Sequence, residues 1–195
     1  MCVEAGLLEK PLPKPGKDVV GYACARVLES ILESHLALEF LYRGYTRNAA
    51  GKVFQAWRAL LAALLALERD RLMEVLRSDE ERKWLERVGI PRVPTGKLKR
   101  LSQLLEKVGY RDVVHYTNTA LSLHDYQYHG PDPDMAMSKY ACREEAVVDA
   151  KALVGVIVRL VESYVKPSLE RRRAWTERHE KELDALKERL GKLYS

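Results

Sequence analysis

Side-chain amides are scarce in this 195-residue chain: Asn occurs only at positions 48 and 118, and Gln only at 55, 103 and 127. Phe is nearly as rare, with two residues against ten Tyr and three Trp. The three cysteines, Cys2, Cys24 and Cys142, lie far apart with no CxxC pair, which excludes a zinc ribbon and a disulfide framework. Positions 1–16 lack an apolar core and are broken by Pro11, Pro13 and Pro15, so no secretory leader is expected. The most apolar run, 56–67, is interrupted by Arg58 and reads as too short to cross a bilayer. There is no Gly-rich phosphate loop, no catalytic Cys/His set, no paired-carboxylate helix motif, no internal repeat and no alternating segment long enough for a strand. Neither a cofactor nor a metal site is expected, and the expected location is cytoplasmic.

What is present is a helical pattern. Hydrophobic residues make up 47% and charged residues 31% of the chain, with a formal net charge of +5. Few amides beside many Arg and Glu are the composition of a thermophile, in which ion pairs stabilise the surface. After an irregular lead-in over 1–16, apolar residues recur at three- and four-residue spacing from Val20 to Leu41, with Asp18 as cap and Gly44 as terminator. Thr46 would cap a second helix running to about Arg77, roughly 45 Å long, with an alanine face (Ala49, Ala56, Ala59, Ala62, Ala63, Ala66). A short helix over 78–88 should stop at Gly89 and Pro91. Thr95 should cap a helix over 97–107, and another should cover 111–125. The segment 124–138 is dense in turn-forming residues and reads as a structured loop. A long helix over 137–165 should end before Pro167. Beyond it Leu183, Leu186, Leu190 and Leu193 mark a charged C-terminal helix. The division is thus 1–16 lead-in, 17–165 bundle and 166–195 projecting helix, and the fold class is all-α. The alanine face and the leucine stripe together exceed what one bundle needs, so a homodimer is expected.

The segment RNAAGKVFQAWRALLAALLALE (47–68) resembles the second helix of the HEPN superfamily of helical domains. Together with LHDYQYHGPDPDMAMSKYACREEAVVDAKAL (123–153), the pattern is most similar to the archaeal PaREP family within it. That resemblance spans about 18–162 and implies an antiparallel up-down bundle of four main helices. It also implies association with RNA, nucleotides or a small nucleotidyltransferase in a toxin–antitoxin-like pair. HEPN ribonucleases carry Arg, four to six residues, then His. Here the Arg positions before His124 hold Thr119, Asn118 and Thr117, so the motif is broken. One literal match, Arg173 and His179 with five residues between them, falls in the charged tail outside the similar region.

Candidate site residues follow from chemistry. Nine basic residues against Glu86 and Glu106 give the 82–111 window a charge of +7, including Lys97, Lys99 and Arg100, a pattern suited to phosphate. The alternative is a surface of intramolecular ion pairs. Arg47, Asn48 and Lys52 open the second helix, where free N–H groups favour an anion. Tyr126 and Tyr128, with Tyr140, are candidates for stacking on bases. A divergent ribonuclease would use His124, Tyr128 and His129. A metal cluster of His124, His129, Asp125, Asp132 and Asp134 matches no ligand spacing. The leading expectation is a non-catalytic RNA- or nucleotide-binding protein.

Overall fold

The computed structural model describes residues 11–192, and no strand occurs among them. Cys2, Leu193 and most of the expected lead-in lie outside the described residues.

Helix α1 (Val19–Tyr42) starts where expected: the Asp18 carboxylate accepts the Gly21 N–H at 2.7 Å. It ends at Gly44, whose φ of +79° lets the chain reverse into α2 (Thr46–Leu67). Tyr45, not Thr46, holds the N-cap position. The Thr46 hydroxyl instead accepts from Arg143 Nε at 2.8 Å, tying the start of α2 to a later helix. The alanine face is entirely buried, and its small side chains let α1 approach so closely that Ser30 Oγ donates to the Ala56 carbonyl at 2.8 Å.

Two readings of α2 need correction. It bends at Glu68 and continues as the separate α3 (Arg69–Val75), so the straight helix is about 33 Å long. The bend is held by Glu68 itself, which accepts from Arg71 and from the Tyr110 hydroxyl at 2.9 Å. The whole of α2, mean hydropathy 1.3, is also long enough to cross a membrane. Yet 78% of its apolar window is buried inside the protein, as in a core helix.

Two prolines do not stop helices. Helix α4 (Asp79–Trp84), capped by Ser78, widens into a π turn over Leu85–Gly89 and continues as α5 (Ile90–Arg92). A 3₁₀ turn (Thr95–Lys97) leads into α6 (Leu98–Lys107) without the expected Thr95 side-chain cap, and α7 (Val113–His129) follows. Helix α8 (Arg143–Leu160) likewise widens into a π turn over Val161–Val165 before α9 (Lys166–Arg171). A proline ring collides with the carbonyl four residues back, and a π turn relieves that clash by shifting the bonding to i→i+5. Pro91 and Pro167 each sit two residues past such a turn. The expected boundary at 165/166 therefore falls inside continuous helix.

Helix α7 also runs four residues past its expected end at Asp125, stopping at Gly130 (φ +72°). His124 to His129 are thus helical rather than looped. Conversely α8 starts at Arg143, not Met137. Glu145 reaches back to the Ala141 and Cys142 N–H groups, and Asp132 accepts from Met137 and Ser138 to order the connecting loop.

Contacts fix the directions of the helices. Ser30 meets Ala56 and Glu33 meets Lys52, so α1 and α2 run antiparallel. Phe54 meets His124 and Trp57 meets Thr117, so α2 and α7 do as well. Helix α10 (Glu177–Lys192) does not project. It lies along α1 and α8, with Leu183 and Leu186 buried, His35 Nε2 2.9 Å from the Glu182 carbonyl, and Lys187 paired with Glu162 at 2.7 Å. The alanine face and the described part of the leucine stripe are therefore both covered within one chain.

Candidate functional site

Helix α6 turns Leu98, Leu101, Ser102, Leu104 and Leu105 inward. That register leaves Lys99, Arg100, Gln103, Glu106 and Lys107 on one exposed stripe. Between this stripe and the end of α3 lies an open groove of about 920 Å³, lined by Arg77, Glu81, Arg100, Gln103, Glu106 and Lys107 among others. Lys97 and Arg100 share a smaller groove of about 280 Å³ with Trp84, Glu80 and Glu81.

The charges here are unevenly partnered. Arg82 caps α3, donating to the Met73 and Leu76 carbonyls at 3.0 and 2.6 Å and pairing with Asp79 at 2.8 Å. Arg100 pairs with Glu81. The other seven cations of the window, Lys83, Arg87, Arg92, Lys97, Lys99, Lys107 and Arg111, form no ion pair with a described carboxylate, and all are exposed. Both carboxylates of the larger groove are occupied. Glu106 accepts the Val114 N–H at 3.0 Å, and Glu81 accepts the Arg77 N–H, which with Arg100 holds its carboxyl below the usual range. Elsewhere some basic residues have carboxylate partners, as in Arg26–Glu29, Arg71–Glu68 and Lys166–Glu180, and others such as Lys139 and Lys181 are exposed without one. Arg77 was not singled out by charge counting, because it lies outside the dense window and joins it only through the α3–α6 corner.

At the opposite flank of α2 the anticipated anion site is rearranged. Arg47 does not stand free: Nε donates to the Gln127 carbonyl at 3.0 Å and Nη2 to the Tyr128 carbonyl at 2.5 Å, capping the C-terminus of α7. Lys52 pairs with Glu33 at 2.9 Å. Asn48 is exposed and lines a groove of about 580 Å³ with Phe40, Gly51, Gln55 and Gln127. Neither Phe40 nor the two Gln had been singled out, and only the scarcity of amides could have drawn attention to the latter.

The tyrosines separate. Tyr126 is buried edge-on against Tyr140 at 5.6 Å, and Tyr140 is itself buried with its hydroxyl donating to Asp149 at 2.8 Å. Neither can stack on a base. Tyr128 is exposed and remains available.

Of the residues a divergent ribonuclease would use, His124 and Tyr128 touch on α7. His124 stacks on Phe54 at 4.1 Å with Tyr128 edge-on at 5.2 Å, and its Nδ1 is buried without a hydrogen-bond partner. Burial lowers its pKa against the opposing charge of Asp125, with Arg58 acting in the same sense as burial. Of the positions where Arg would stand, Thr117 is a core residue accepting the Trp57 indole N–H at 3.0 Å. His129 is exposed at the end of α7. No group of His, Cys, Asp and Glu among the described residues is arranged to hold a metal ion.

The literal Arg173–His179 match is structural. His179 is buried, with Nε2 3.1 Å from the Cys24 carbonyl and Nδ1 2.7 Å from Thr176 Oγ1, while Arg173 is exposed. Burial, with Arg178 acting in the same sense, depresses the His179 pKa. The unfolded chain therefore takes up this proton first. His179's contribution is intact above the unfolded value near 6.5 and is lost as pH falls from there towards the lowered folded value. Urea midpoints measured from pH 7.5 down to 5 should fall less steeply in His179→Gln than in the parent. Identical profiles would remove His179 as the linked group.

Residues 25–151 match the archaeal PaREP1/PaREP8 family, and the chain belongs to that family. No curated protein and no solved structure matches it. The matched span runs from within α1 to within α8, so it contains all three grooves and leaves out α10.

Proposed function

We propose that this protein is a non-catalytic, cytoplasmic RNA-binding protein of HEPN-like helical architecture, holding a phosphate backbone against the α6 stripe and the α3–α6 groove. The observation that carries this reading is the set of seven exposed cations in 82–111 without carboxylate partners. A surface evolved only for thermal stability would pair them, as it does Arg100 and Arg82. A polyanion releases condensed counterions when such cations neutralise its phosphates, so binding must weaken with salt. Labelled single-stranded RNA titrated between about 50 and 200 mM salt should give a log–log slope of about −3, as for four contacts. No binding at low salt would end this reading. Because no Arg accompanies His124 on α7, the protein should cleave RNA no faster than its His124→Ala variant.

A second reading, an interaction subunit for a partner such as a nucleotidyltransferase, draws on the exposed Tyr42, Tyr45, Tyr128, Met135 and Met137. These lie in the α1–α2 turn, at the end of α7 and in the loop after it. Arg47 and Arg143 hold those segments to the start of α2. The homodimer remains a proposal with weaker support, since the alanine face and Leu183 and Leu186 of the stripe are buried within one chain.

A further inference from the structure

Three of the chain's five side-chain amides, Asn48, Gln55 and Gln127, converge on the groove between the first turns of α2 and the end of α7. Such a concentration in an amide-poor chain has no stability explanation, and the local geometry gives it a shape. Gly51 forms the floor beneath Gln127: a Cβ there would sit 2.6 Å from Gln127 Cδ, so only glycine lets the amide lie against the α2 backbone. Gln127 Oε1 is buried with no hydrogen-bond partner. Gln127 Oε1 shares that condition only with His124 Nδ1 and Glu33 Oε2 among the described residues, and in proteins generally an orphan acceptor marks a place for a donor. Gln55 uses its Oε1 to accept from Arg58 at 3.1 Å, which points its amide NH₂ to remain as a donor. Phe40 adds a half-buried aromatic face to the lining.

The same groove is weak as an anion site, because Arg47 is engaged by carbonyls and Lys52 by Glu33. It is therefore suited to a flat, neutral group with adjacent donors and acceptors. Asn and Gln pair with adenine through its amino group and ring nitrogen, and single-stranded bases expose those edges. A volume of about 580 Å³ lies within the roughly 300–1,000 Å³ of small-ligand sites. We propose that this groove receives one adenine base, with Gln127 accepting from its exocyclic amine and Asn48 and Gln55 bonding alongside. The base can come from a free nucleotide or from a strand. The site lies apart from the α6 stripe and adds base recognition to the RNA-binding reading without resting on the same residues.

The test has two arms, run on the full chain by calorimetry for nucleosides and by fluorescence titration for strands. Adenosine should bind at least tenfold tighter than inosine, which carries an oxo group where adenosine has the amine, with little dependence on salt. Oligo(A) should bind tighter than oligo(U). Gln127→Leu should abolish the preference in whichever arm shows it. Gln55→Leu, a change at an exposed rim position, should weaken it with the unfolding curve unchanged, which separates lost recognition from lost fold. A preference in the strand arm alone assigns the site to RNA, and one in the nucleoside arm assigns it to free nucleotide. No adenine preference in either arm, or one that survives Gln127→Leu, overturns the proposal. Salt-dependent RNA binding without base preference would overturn this inference and leave the α6 reading standing, and the converse result would do the reverse.

Discussion

Trp57→Ala is expected to lower the unfolding free energy by about 3–5 kcal/mol, the range for deleting a fully buried large aromatic. Trp57 is fully buried in α2 and faces α7 with Tyr116 edge-on at 6.1 Å. Its indole N–H donates to Thr117 Oγ1, which shares a second hydrogen bond of 2.5 Å with Ser102 Oγ of α6. One side chain thus closes a buried polar chain across three helices. Truncation leaves a cavity that long helices cannot collapse into and deprives Thr117 of a partner in a dry site. Trp57→Phe keeps most of the volume but loses the donor, and should cost about 1–3 kcal/mol. Urea denaturation checks both through a shifted midpoint with an unchanged slope. A Trp57→Ala loss below about 1 kcal/mol would mean that the α2–α6–α7 junction is not packed as described. The expected loss is a large share of the roughly 5–15 kcal/mol by which domains are stable.

The sequence made α1, α2 and α6 legible because their apolar residues repeat at helical spacing, and that period reports which face is buried whatever it is buried against. Helix ends were less legible. Pro91 and Pro167 carry a local stop signal that a preceding π turn overrides, and each turn places a residue, Leu85 or Val165, in the buried core. The end of α7 was hidden by its composition: HDYQYH looks like a loop, yet Arg47, distant in sequence, supplies the cap that lets the helix continue to His129. Reading those residues as a loop made Tyr126 and Tyr128 seem equivalent. On a helix two positions differ by about 200°, so one faces the core and the other solvent. Of the candidate sites, the cations of 82–111 were visible in the sequence, but their lack of partners was not, because ion pairing is decided between helices. The amide groove was invisible for the same reason, since Asn48, Gln55 and Gln127 become neighbours only when α7 packs on α2.

That difference between paired and unpaired cations predicts opposite behaviour for two sets of substitutions. Replacing Lys97, Lys99 and Lys107 together by Ala removes three charges with no intramolecular ion pair. If each neutralises one phosphate of a single strand, the log–log salt slope should flatten by about 0.7 per residue, from about −2.8 to about −0.7. Between 50 and 200 mM salt the parent should then lose affinity about 50-fold and the triple variant only about threefold. Thermal stability should be unaffected, because exposed lysines without partners contribute little to it. Arg82→Ala should do the reverse. It uncaps the Met73 and Leu76 carbonyls and frees Asp79, costing about 1–2 kcal/mol of stability, while the salt slope stays as in the parent. Tyr128→Ala provides a third pattern, losing about 1–3 kcal/mol of binding through stacking with the slope retained. The triple variant and Arg82→Ala discriminate because both sit in the same dense window and differ only in what their charges touch. A triple variant that melts early and keeps the parental slope would mean that its lysines serve the fold, and the α6 stripe would no longer qualify as an RNA-binding surface.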